Sequence, residues 1–138
     1  MNYTENYQLP QWEKSDRIMM DDFNEGNRKI ETALQGKSSV IIGAYVGNNA
    51  ASRVIELGAK PKAVLLFDAS GRTAVYNAFC GGLALPDCKV TGWTADGQKP
   101  TIFEVVNTGF KVYYRSNTDS YTNSANSTGT TYYYIAFM

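Results

Sequence analysis

Hydrophobic and polar positions along this chain follow two different periods, and the change falls near residue 37. Met20, Phe23, Asn27, Ile30 and Leu34 recur at alternating spacings of three and four, the a and d positions of a short helical seam with one polar member. Asp21, Asp22 and Glu25 precede Arg28 and Lys29, the charge order that suits a helix dipole. The pattern predicts one helix, capped by Ser15 or Asp16, reaching about Leu34 and closed by Gln35-Gly36-Lys37. Gly26 sits inside it, weakens it by about 1 kcal/mol relative to Ala, and marks a point where it can kink.

Beyond residue 37 the period is two. Strands are predicted over Ser39–Val46, Arg53–Leu57, Ala63–Phe67, Thr73–Phe79, a short stretch near Lys89–Trp93, Ile102–Asn107, Phe110–Arg115, and the terminal aromatic run. Turn-forming residues separate them: Gly47-Asn48-Asn49, Gly58, Asp68 to Gly71, and Thr108-Gly109 as a hairpin signal. Residues 80–100 read as a long loop, and 117–130 as a low-complexity polar loop. The unbroken apolar run Ala63–Phe67 predicts burial on both faces. The last strand places Tyr132, Tyr134 and Ala136 on one face and Tyr133, Ile135 and Phe137 on the other. With both faces able to be covered, it reads as an inner strand.

Strands at short intervals with no helix between them imply a mainly β fold. The expectation is an antiparallel β-sandwich or barrel-like domain, 37–138, preceded by an extended arm and one α-helix, 1–36. The arm, residues 1–14, has no helical period and contains Pro10, yet carries Tyr3, Tyr7, Leu9 and Trp12. It either lies on its own domain or a neighbouring subunit, or is a loosely ordered terminus.

Composition narrows the function. Among 138 residues, 13 basic and 13 acidic side chains balance to a formal net charge of +0, which offers no footprint for nucleic acid or an anionic membrane. No apolar run approaches the ~20 residues of a membrane helix, so no membrane insertion is expected. The start of the chain lacks the basic and apolar regions of a secretory signal, implying synthesis in the cytoplasm. The absence of histidine removes the usual general base and the commonest transition-metal ligand. Cys80 and Cys88 fit no zinc spacing; a disulfide between them is sterically possible, and two free thiols are the preferred reading. No cofactor is called for.

The acids of the β region are Glu56, Asp68, Asp87, Asp96, Glu104 and Asp119, most of them at turns or strand ends, and no catalytic motif accompanies them. An enzyme is not expected. The excess is aromatic, with 10 Tyr, 6 Phe and 2 Trp, which directs attention to recognition. Exposed rings on a β surface stack on sugars while amides bond their hydroxyls. Trp93, Tyr113, Tyr114, Tyr121, Asn117, Asn123 and Asn126 supply that vocabulary, and are the candidate ligand-binding set. The plainer alternative is that the tyrosines pack the sheet. The Asn/Asp-rich loop lacks the spaced carboxylates of a calcium site.

Two regions carry a family resemblance. Asn6-Tyr-Gln-Leu-Pro-Gln-Trp-Glu-Lys-Ser-Asp-Arg-Ile-Met-Met-Asp-Asp-Phe-Asn24, followed by Lys29-Ile30-Glu31, resembles the N-terminal segment of tail-fibre or baseplate proteins of phages and prophages of Gram-positive gut bacteria. Gly43-Ala-Tyr-Val-Gly-Asn48, Ile55-Glu-Leu-Gly-Ala-Lys-Pro-Lys-Ala-Val-Leu-Leu-Phe67 and Gly129 to Phe137 are similar to a small β domain near the ends of fibre-like proteins. The resemblance spans most of the chain except 70–125, and the long shaft of the usual fibre is missing. It implies a virion tail component: a short fibre, tip or baseplate-associated protein, assembled as a homo-oligomer, most often a trimer, with other phage tail proteins as partners. Its β domain then contacts the host surface, including cell-surface glycan, or serves only in tail assembly or capping.

Overall fold

The chain does not start as a free arm; it doubles back. In the computed structural model, which describes residues 1–115 and 120–138, β1 (Asn2–Tyr3) pairs antiparallel with β2 (Pro10–Gln11). The Thr4 hydroxyl accepts from the Leu9 N–H at 2.9 Å and so fixes the turn. A second turn follows, in which the Asp16 carboxylate accepts from the Glu13 N–H at 2.8 Å and from the terminal ammonium of Met1 at 3.1 Å. These bonds hold the Asp16 carboxyl below its ordinary pKa, the Glu13 N–H contributing most.

Asp16 is thereby committed elsewhere, and this corrects the expected helix start. The helix α1 runs Met20–Gln35, with Met19 at its N-terminal boundary and no side-chain cap. It passes Gly26 unbroken. Gly26 is the helix's buried residue, and a Cβ there would lie 3.2 Å from Pro10 Cδ, so the glycine admits the hairpin instead of providing a kink. Lys29 donates to the Gln8 carbonyl at 2.9 Å and sits 5.3 Å from the centre of the Tyr3 ring. Hairpin and helix make up the first of two compact units, Met1–Ser38; the second is Ser39–Met138.

The second unit is built of β3 (Val40–Val46), β4 (Ser52–Glu56), β5 (Ala63–Asp68), β6 (Ala74–Val75), β7 (Ala78–Phe79), β8 (Gly82–Ala84), β9 (Val90–Thr91), β10 (Thr101–Val106), β11 (Gly109–Tyr113), β12 (Thr122–Asn123) and β13 (Thr131–Phe137). One sheet has the order β3-β13-β5-β8, a second β4-β11-β10-β9, and a small third β12-β7-β6. All pairings are antiparallel except β7 with β12. Among the described residues no sheet closes into a barrel, and the fold is mainly β and sandwich-like, as the periodicity predicts.

The core lies between the two larger sheets. Tyr45, Val64, Leu66, Tyr132, Tyr134 and Ala136 face Phe103, Val105, Phe110 and Val112. Phe110 meets Tyr134 edge-on at 5.0 Å, and Tyr45 stacks on Tyr132 at 5.2 Å. The Tyr45 hydroxyl donates to the Ala125 carbonyl at 2.6 Å, giving a deeply buried ring its polar partner.

Several expectations are revised. The stretch Thr73–Phe79 is a hairpin, β6 and β7, folded at Tyr76-Asn77, with Tyr76 in the left-handed region at φ 48°. The loop 80–100 holds an unexpected strand, β8, besides β9 where a short strand was expected, and the β10–β11 turn is Asn107-Thr108, with Gly109 already in the strand. β5 is buried on one face only, through Val64 and Leu66. β13 is indeed inner, paired with β3 on one side and β5 on the other, but Tyr133 and Phe137 on its second face are open to solvent.

Truncating Tyr134→Ala removes the ring that fills the sandwich against Phe110. The expected loss is about 3–5 kcal/mol, read as a large drop in the denaturation midpoint. A loss below about 1 kcal/mol would mean that the ring is not part of the core.

Candidate functional site

The candidate ligand-binding residues do not share one surface. Asn123, at the end of β12, is buried; its side chain accepts from the Trp93 N–H at 2.9 Å and donates to the Trp93 carbonyl at 2.8 Å. Its Oδ1 occupies the place a Cβ on Gly92 would take, 1.7 Å away, so Gly92 and Asn123 require each other. Asn126 is fully buried and donates to Asn48 Oδ1 at 2.8 Å and to the Ala50 carbonyl at 2.9 Å. Both are therefore corrected from ligand contacts to internal staples. Asn117 lies outside the described residues.

The run Asn123-Ser124-Ala125-Asn126 is buried throughout, although its composition reads as a solvated loop. Each polar group is satisfied by backbone or by a neighbouring side chain, as burial demands. Ser124 accepts from the Asn126 N–H at 3.1 Å and from the Ser127 hydroxyl at 2.9 Å. The presence of Asn on both sides of a small-residue pair was the available signal.

The aromatic candidates divide. Trp93 remains 42% exposed, with Lys99 Nζ 5.5 Å from its ring centre and its backbone clamped by Asn123. Beside it, the Asp96 carboxylate accepts from Thr94 and from the Gln98 N–H, which hold its pKa below the ordinary value. Tyr121 stacks on Phe79 at 6.5 Å, half-buried. Tyr113, on the outer face of the β4-β11-β10-β9 sheet, donates to Glu104 and lies under Lys111. Tyr114 is half-buried, its N–H bonded to the Ala51 carbonyl at 3.2 Å.

The acids are likewise employed locally. Asp68 accepts from the Ser70 and Arg72 N–H groups at 2.8 and 2.9 Å and pairs with the Arg72 guanidinium. Burial alone would raise its pKa, but these donors outweigh it and the net direction is down. Among the described residues no three of His, Cys, Asp or Glu gather as metal ligands. Cys80 and Cys88 are free thiols.

Two surfaces stand out instead. The first is the helical seam: Met20 is 77% exposed, Phe23 57%, Ile30 43% and Leu34 62%, with Asn27 exposed among them. Leu9, Pro10 and Trp12 of the hairpin border a groove with Phe23 and Ile30, widening that stripe. The second is the outer face of the β3-β13-β5-β8 sheet. Its register sets Ile42, Ile135, Leu65 and Leu83 in one row, Val40, Phe137 and Ala63 in the next, and Ala44, Tyr133 and Phe67 in a third. The signal for it was present in Ser39–Val46, where apolar residues continue through both phases of the strand. The other large sheet contrasts with it, turning Ser52, Glu56, Glu104 and Lys111 outward.

Compared with known proteins, the chain matches no family model, no curated protein and no solved structure.

Two measurements check this geometry. Asn126→Ala removes the donor to the Ala50 carbonyl and the acceptor of the Asn48 N–H, and is expected to cost about 1–3 kcal/mol in chemical denaturation; an unchanged midpoint would show that water replaces the amide. The Tyr113 phenol is pushed up to about 12 from 10.0, first by burial and then by Glu104. Its neutral form is favoured by folding, so the contribution is complete below pH about 10 and is lost as pH rises toward 12. Glu104→Gln should move that phenol's ionisation, followed by tyrosinate absorbance, back toward the ordinary value; an unmoved titration would leave burial as the cause.

Proposed function

We propose that this chain is a structural subunit of a phage-type tail, working through assembly with copies of itself and with other tail proteins. The observation that carries the reading is the open seam: Met20, Phe23, Ile30 and Leu34 all expose apolar surface along one helix face, around a single polar Asn27. A seam of that spacing with one polar a position suits a parallel bundle of few strands, a trimer first, in which Asn27 fixes the register. The resemblance of Asn6–Asn24 to tail proteins supplies the setting, the virion tail. No step of the proposal needs a cofactor.

Host attachment is the second reading, and Trp93 favours it. The ring is exposed, its backbone is pinned by a buried amide and Lys99 stands beside it, a rigid arrangement suited to stacking on a sugar. The buried Asn123 contributes to that site's framework and not to its surface.

The mass of the purified full chain in solution, at on the order of 10 µM, tests the assembly reading. A three-chain particle that loses its three-chain mass in Phe23→Asp with Ile30→Asp is expected, and immunogold label against the chain should decorate the tails of released particles. A single-chain mass together with unlabelled particles would end the proposal. Trp93→Ala, which leaves the fold intact, separates the second reading: attachment to Gram-positive cell wall should fall severalfold if the ring binds glycan, and stay the same if it does not.

A further inference from the structure

We propose that the outer face of the β3-β13-β5-β8 sheet is an interface between copies of this chain. The inference rests on the sheet alone and needs neither the tail setting nor the helical seam.

The side chains turned outward on β3 and β13 are apolar or aromatic except Thr131, and those of β5 within the ladder continue the pattern with Ala63, Leu65 and Phe67. No charged group interrupts these three strands' shared outward face. A sheet meant for water alternates, and the β4-β11-β10-β9 sheet of the same unit does so, with Glu104 and Lys111 opposite each other. The difference between the two sheets is one of sequence choice within one fold.

The area is what an association needs. Val40 is 51% exposed, Ile42 75%, Val46 54%, Leu83 55%, Tyr133 42% and Phe137 39%. Together they open an apolar patch of roughly several hundred Å², the size that marks an interaction site though less than the ~800 Å² each partner brings to a standard interface.

The identity of the partner follows from the chemistry of the patch. A face without charges has no electrostatic means of choosing a foreign protein and no group to pair with a charged ligand. It matches another face equally apolar, and the most apolar interfaces are those between identical subunits. β3 also lies at the edge of its sheet, among the described residues paired only with β13, with Arg53 bonded to its last carbonyl at 2.9 Å. A long edge strand without outward charges needs cover from a second chain to avoid open-ended pairing.

The test uses the full chain carrying the photo-crosslinker p-benzoylphenylalanine in place of Ile42. Irradiation should give a covalent species of two chain masses on a denaturing gel, with the linked peptides drawn from this same sheet. The product should persist in the seam variant Phe23→Asp with Ile30→Asp, which separates this interface from the helical one. Ile42→Glu, at a position open enough to leave melting unchanged, should weaken self-association at least tenfold in sedimentation. Links confined to residues 1–38 of the same chain, links to another protein only, no link at all, or an unaltered association in Ile42→Glu would each overturn the proposal.

Discussion

The second unit depends on the two ladders of β13. Seven paired positions tie it to β3 and six to β5, so its register sets the register of both neighbours. Because a strand's side chains alternate strictly, one register decision sorts a whole sheet. It sends Tyr132, Tyr134 and Ala136 inward to meet Phe110, and it sends Tyr133, Ile135 and Phe137 outward beside Ile42 and Leu65. A slip of one residue would exchange two faces that are both apolar. Hydrophobicity alone therefore cannot hold this register. The fit of Tyr134 over Gly43, where a Cβ would fall 2.3 Å from the phenol oxygen, and of Tyr132 beside Tyr45 must do so.

Buried amides supply a second source of specificity. Asn123 reads the backbone of Trp93 from both sides, and Asn126 ties the segment before β13 to Asn48 and Ala50, which lie just beyond β3. Each such bond adds only about 0.5–1.5 kcal/mol net, but leaving one unmade costs more, so these contacts penalise wrong arrangements more than they reward the right one. Tyr45 joins the same system through the Ala125 carbonyl. A polar stretch was thus drawn into the interior because the backbone it crosses needed partners that aliphatic side chains cannot offer.

Legibility in the sequence followed the strength of the local signal. The seam of α1 and the strands β3, β4, β10, β11 and β13 could be read directly, since residue type and turn chemistry agreed there. The helix start could not, because Asp16 looks like a cap until Met1 and Glu13 are seen to take its carboxylate. The hairpin at Tyr76-Asn77 was hidden for a related reason: its first turn residue is a bulky aromatic at positive φ, where glycine or asparagine would have marked the bend. At the candidate site, residue types were informative about chemistry but silent about depth. Asn123 and Asn126 have the same composition signal whether they face water or the core, and only the partners brought from 30 and 78 residues away decide it.

Each apolar surface is modest when taken singly. The seam of α1 spans two heptads, too short to hold a bundle together firmly on its own. The sheet face falls somewhat below the area of a standard interface. Covalent continuity changes that balance. Once one surface has engaged in a shared oligomer, the other meets its partner at an effective concentration set by the chain and no longer by the solution. Two marginal contacts can then act as one strong one, and loss of either would weaken the whole out of proportion to its own area. A chain arranged in this way stays separable until its copies are brought together, and afterwards comes apart slowly. Under the proposed assembly that is the behaviour a structural subunit requires, and it would account for apolar surface left open on both units.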